Sequence, residues 1–142
     1  MSLFGALSIA GSGMSAEGER LSAVASNLAN ANSATGSAGQ PYRAREVVFQ
    51  AVGLNGSGGD GGEPTQTGMA GVRVAGVVES DEPMKKIYDP GNGSADASGY
   101  VQMPNVDPIE EMVNMISAQQ DYQANLEAFN VAKSLAMRTL SI

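Results

Sequence analysis

The sequence predicts a mainly α chain with a small β-containing insert: long N- and C-terminal amphipathic helices pairing as a coiled coil, joined by short strands and glycine-rich loops. Three observations carry that class. Leu7, Met14, Leu21 and Leu28 recur every seventh residue, with Leu3, Ala10, Val24 and Ala31 in the alternating places and Glu17 interrupting them. Towards the other end, the row Met112, Met115, Gln119, Tyr122, Leu126, Phe129, Lys133, Ala136, Leu140 is apolar except at Gln119 and Lys133. Spacing that alternates three and four keeps one seam of an α-helix facing a partner. Between the two rows the chain is rich in glycine and valine and loses that period.

Residues 1–34 form the first segment, with a helix expected over 2–31. Gly11, Gly13 and Gly18 weaken it, each by about 1 kcal/mol against Ala. Such a helix needs packing to hold it. Asn27, Asn30, Asn32, Ser33 and Gly36 supply its cap and turn.

The insert spans residues 35–104. After Pro41, Tyr42 to Phe49 reads as a strand from its β-branched and aromatic content. Gly53 to Gly62 is a flexible glycine-rich loop. Val72, Val74, Val77 and Val78 mark a second strand, with Gly71 and Gly76 as bulge positions. Met84 to Tyr88 suits a third, and Asp89 to Gly93 a turn.

The last segment, residues 105–142, has the clearest start. Asp107 is an N-cap, Pro108 fits the first helical position, and Glu110 completes an Asp-x-x-Glu box. Glu110 and Glu111 sit at the positive end of the helix dipole, Lys133 and Arg138 near the negative end. Beyond Pro108 neither Gly nor Pro interrupts the helix as far as Thr139.

At 142 residues the chain has the length of one domain. With three Phe, four Tyr, no Trp and 18 Gly, it reads as good helices joined by thin material. A net charge of -7 argues against a nucleic-acid partner, whose phosphates demand a basic surface. The absence of both Cys and His removes thiol nucleophiles, His-based acid–base work and Ser–His triads. An enzyme is not expected, nor a cofactor or metal. No run approaches the ~18 apolar residues of a membrane helix, so no direct membrane insertion is predicted. A cleavable signal is not expected either: the first basic residue is Arg20, and Gly5 and Ser8 break the apolar stretch from Leu3 to Ala10.

Two motifs admit a sharper reading. Gly11-Ser12-Gly13-Met14-Ser15-Ala16 matches a dinucleotide fingerprint, but it lies on the heptad stripe without a preceding strand. Small residues permitting close helix packing explain it better. Asp89 to Asp96 loosely resembles a calcium loop, yet its twelfth position is Tyr100 and no helices flank it, so a turn is expected. The acidic run Glu79-Ser80-Asp81-Glu82 reads as a solvated turn.

Pattern alone leaves two readings of the stripes: a monomeric helical hairpin presenting the insert or acidic loop to a partner, or a seam between subunits. The few large side chains, and polar Gln119 and Lys133 in the seam, favour the second, because polar seam positions set register.

Particular residues then add to the pattern. Ser26-Asn27-Leu28-Ala29-Asn30, Gly39 to Ala44, Val47 to Gln50, Tyr88 to Gly91, Gly99 to Asp107, Glu110 to Ala118 and Tyr122 to Asn125 together resemble the flagellar rod and hook axial protein family, and within it the proximal-rod subunits. The resemblance spans nearly the whole chain; Gly53 to Gly62 departs from it in being unusually glycine-rich and acidic. It implies export through the flagellar type III apparatus without signal cleavage. It also implies polymerisation with self and other rod proteins into a helical tube crossing the periplasm. The rod-to-ring adaptor and membrane ring would lie at its base, and the shaft would carry torque from motor to hook. Asn27 and Asn30 are expected to cap the helix and bond across subunits. The expected assembly interface is Leu7, Met14, Leu21, Val24, Asn27, Leu28 and Asn30 with Met112, Met115, Ile116, Tyr122, Leu126, Phe129 and Leu140. Under-buried ends of this kind order on association, and a non-closing rotation between neighbours builds a tube.

Overall fold

The N-terminal stripe builds α1, Leu3–Asn30, and the capped C-terminal segment builds α2, Pro108–Leu140. The computed structural model describes residues 3–34, 39, 41–53 and 70–140. The side chain of Leu140 and the glycine-rich stretch from residue 54 to 62 lie outside the described residues. Asp107 caps α2 as expected: its Oδ1 accepts the Ile109 N–H at 2.9 Å, and its carbonyl accepts the Glu111 N–H at 3.0 Å.

The helices run antiparallel. Gly13 faces Asn125, Arg20 Nη1 lies 3.6 Å from Asp121 Oδ2, and Asn27 Nδ2 lies 3.0 Å from Glu111 Oε1. The contact face of α1 keeps the predicted alternating row, with Ala10, Val24 and Ala31 buried, but replaces the Leu7–Met14–Leu21–Leu28 row by positions one residue before it, Gly13 and Asn27. On α1 the buried positions include Ala10, Gly13, Val24 and Asn27, whereas Leu7, Met14, Leu21 and Leu28 are half-buried. On α2, Ala118 and Ala132 are buried, while Gln119 and Lys133 are exposed and so cannot set register within this pair. Size explains why the Leu and Met row gives way. Backbones approach most closely where Gly and Ala face one another, and the bulky Leu and Met side chains are displaced to the flanks.

Between the helices lie two small antiparallel sheets. β1 (Arg45–Gly53) pairs with β2 (Ala70–Glu79), from Arg45 opposite Glu79 to Gly53 opposite Ala70. Val48 pairs with Gly76 and Phe49 with Val74, so Ala75 is the extra residue of a bulge. Of the two glycines expected to mark one, Gly76 adjoins it and Gly71 pairs regularly with Val52. β3 (Lys85–Tyr88) pairs with β4 (Tyr100–Met103), a strand the sequence reading did not foresee. They are joined by the Asp89–Gly99 turn, where Asp96 Oδ1 accepts the N–H groups of Tyr100 and Ser98 at 3.0 and 2.8 Å. Those two donors hold the Asp96 carboxyl below its ordinary range. Gly99 takes φ +81° and leaves no room for a Cβ beside the Tyr88 ring.

The first strand begins later than predicted because Tyr42 and Ala44 are engaged elsewhere. Ala44 is buried with Ala31 and Val106, and Tyr42 packs against that cluster. The Ala44 N–H goes to Asn105 Oδ1 at 2.8 Å. The hairpin β1–β2 lies along α1, reaching from Arg45 beside Asn27 to Val72, whose N–H donates to Ser12 Oγ at 3.1 Å.

Candidate functional site

Asn27 is the polar centre of the molecule. It is 1% exposed, and both its donors and both its acceptor positions are filled from three different segments. Nδ2 donates to the Arg45 carbonyl at 2.9 Å and to Glu111 Oε1 at 3.0 Å. Oδ1 accepts the Tyr42 hydroxyl and the Arg45 N–H, each at 2.9 Å. One helical side chain therefore fixes the insert and the start of α2 at once. The expectation was a helix cap bonding across subunits; in this structure its bonding capacity is used inside the chain. Asn30, its companion in the sequence block, donates to the Ser26 carbonyl one turn back at 2.8 Å.

A second buried amide repeats the device. Asn105 accepts from Ala44 N–H and donates to the carbonyls of Ser80 and Glu82 at 3.3 and 3.1 Å. The acidic run from Glu79 to Glu82 thereby serves as an anchor through its backbone, joined by Arg43 Nη1 on the Ser80 carbonyl at 2.9 Å. Lys85 Nζ reaches the Val106 carbonyl at 2.9 Å. Between α1, β1 and the start of α2 opens a groove of about 440 Å³.

The predicted interface residues divide by this geometry. Val24 and Asn27 are buried inside the chain, and Met115 and Phe129 are half-buried in α2. Met112, Ile116, Tyr122 and Leu126 are exposed, Ile116 by 56%. Ile109, at 75%, together with Val113, Val131, Leu135 and Met137, adds exposed apolar surface that the heptad reading passed over. Exposed apolar residues thus occur on several sides of α2, among exposed polar ones such as Glu110, Gln119, Asn130 and Lys133.

At Gly13 the close helix packing expected of these small residues is found. A Cβ there would stand 2.8 Å from Asn125 Oδ1, so the glycine pair read as a weak fingerprint is a close helix contact at Gly13. Gly11 has no atom within 4 Å of that position.

The comparisons with known proteins fall on the same elements. A model of the flagella basal body rod protein family matches residues 7–36, and one of the flagellar basal body rod FlgEFG protein C-terminal region matches residues 97–142. The chain is 51% identical over 142 residues to the flagellar basal-body rod protein FlgC of Salmonella typhimurium, covering 100% of this chain and 98% of the relative. It is 36% identical over 148 residues to that of Bacillus subtilis, covering 100% and 99%. The chain belongs to the FlgC family of flagellar basal-body rod proteins. The rod and C-terminal models together take in nearly all of α1, the strand β4 and all of α2. They include Asn27, Asn105 and Glu111, whereas β1, β2 and β3 fall between them. In this FlgC-family chain the two models therefore cover the helix pair and the Asn27, Asn105 and Glu111 members of its polar junction, while Tyr42 and Arg45 lie between them.

Proposed function

We propose that this rod subunit polymerises through the outward faces of its two terminal helices, pairing as coiled coils with copies of itself and with other rod proteins to build the proximal rod. The observation that carries the reading is α2: it packs closely on α1 alone among the helices and strands, and exposes Ile109, Met112, Val113, Ile116 and Leu126. Burying such residues between subunits yields about 25 cal/mol per Å² of apolar area, less the ordering cost. The flanking Leu7, Met14, Leu21 and Leu28 of α1 extend the same surface. The interface is then distinct from the seam inside the chain, which holds the subunit's own shape. Export through the type III apparatus, contact with the adaptor and ring at the base, passage across the periplasm and torque transmission to the hook belong to the same reading.

The double substitution Ile116→Glu plus Leu126→Glu tests it. Both side chains are exposed, so the isolated chain should unfold at an unchanged urea midpoint while rod assembly and swimming are lost. Normal swimming would sink the mechanism. It would turn attention to a self-contained helical hairpin presenting its insert, a reading the intramolecular seam also accommodates.

A further inference from the structure

Glu111 stands where α1, β1 and the start of α2 meet. Its Oε1 accepts Asn27 Nδ2 at 3.0 Å, but its Oε2 is buried with no hydrogen-bond partner among the described residues. A carboxylate with one oxygen closed off from water and unpaired carries a desolvation cost that the protonated acid largely escapes.

The positive end of α2 offsets part of that cost, but the side-chain charges around Glu111 do not. The groove is lined by Arg20 from α1, Arg45 and Glu46 from β1, Glu82 from the segment after β2, and Asp107 and Glu110 before it on its own chain segment. Arg20 is drawn towards Glu17 and Asp121, at 3.5 and 3.6 Å. The Arg45 guanidinium lies 5.6 Å from the centre of the Tyr42 ring. Burial pushes the Glu111 carboxyl above its ordinary range; repulsion from Glu110 and Glu46 adds to it, and the Asn27 bond opposes it.

We propose that Glu111 is a proton-operated clamp: neutral, it closes the three-way junction through Asn27, and ionised, it loosens the first turns of α2 from α1. The clamp is a property of the single chain and does not depend on the assembly reading. Its sign is the reverse of an ordinary salt-bridged carboxylate. Because the folded state holds the proton more tightly than the unfolded chain, the stabilisation is full below the ordinary value of 4.5 and is lost as pH rises through the raised one.

The test follows the full chain by NMR as pH is raised from below the ordinary carboxylate value of 4.5, the direction in which the clamp should release. Side-chain carboxyl carbons report titration, and amide exchange in the first turns of α2, corrected for intrinsic pH dependence, reports opening. Glu111 should titrate above the ordinary carboxylate range, with opening rising by up to about tenfold per pH unit between the ordinary and the raised value. Glu111→Gln keeps an acceptor for Asn27 and places a neutral group where Oε2 lies. It should hold the low-pH protection at every pH. An ordinary titration of Glu111 in the natural chain overturns the proposal, as does a pH slope unchanged in Glu111→Gln. Should the variant fail to fold, the carboxyl titration of the natural chain decides alone.

Discussion

α1 and α2 are both long and both rich in apolar side chains, yet they hold opposite places in the molecule. α1 is covered on two sides, by α2 and by the β1–β2 hairpin, and carries the buried Ala10, Gly13, Val24 and Asn27. α2 touches α1 along a strip of small residues, and the rest of its circumference is open. Apolar residues therefore have two fates: in α1, the more hydrophobic helix, they make a core for one chain, and in α2 many of them stay exposed. Side-chain size marks the contact between them, because its buried positions are chiefly Ala and Gly while the exposed faces of α2 carry Ile, Leu, Met and Val.

The contrast should break hardest at Asn27. Asn27→Ala strands the Arg45 N–H and Glu111 and leaves the Tyr42 hydroxyl only Ser26 Oγ at 3.2 Å, and a loss of about 3 kcal/mol is expected from the urea midpoint of the full chain. Asn30→Ala forfeits one bond within the helix and should shift stability by no more than about 0.5 kcal/mol. Equal losses at the two positions would mean that the junction does not form.

One enlargement at two places on α2 sharpens the comparison next. Ala118 is fully buried against α1, so Ala118→Leu should cost about 1–3 kcal/mol by overpacking. Ala124 is exposed, and Ala124→Leu should change the same unfolding curve by less than about 0.5 kcal/mol.

The smallest effect divides two glycines of α1. Gly11→Ala meets open space and should gain up to about 1 kcal/mol in helix propensity. Gly13→Ala must push aside the Asn125 carboxamide, and its melting temperature should fall below that of Gly11→Ala. Equal gains would show that the backbones do not approach closely there.

Much of this was legible in the residues, and the misses have physical causes. The α2 start at Asp107 and Pro108 was readable because capping is local chemistry. Both terminal helices were readable from period. The alternating row of α1, Ala10, Val24 and Ala31, is buried as read, but the Leu and Met row was placed one residue off Gly13 and Asn27, because heptad reading weighs bulk whereas close approach selects small residues. β4 escaped because Tyr100–Met103 is short and its partner β3 lies across a turn closed by Gly99. Asn27 stood out only through its family block. Nothing local announces that its partners are Arg45, Tyr42 and Glu111, the last of them far along the chain.

The antiparallel pairing of α1 with α2 also dictates an order of events during folding. Gly13 meets Asn125 and Asn27 meets Glu111, so each contact joins the beginning of the chain to its end. Loop closure across nearly the whole sequence precedes any gain from these contacts, which makes the helix pair a late and comparatively slow step. A chain emerging N-terminus first holds α1 without its partner until α2 follows, and the hairpin β1–β2 is the first tertiary support that α1 can obtain.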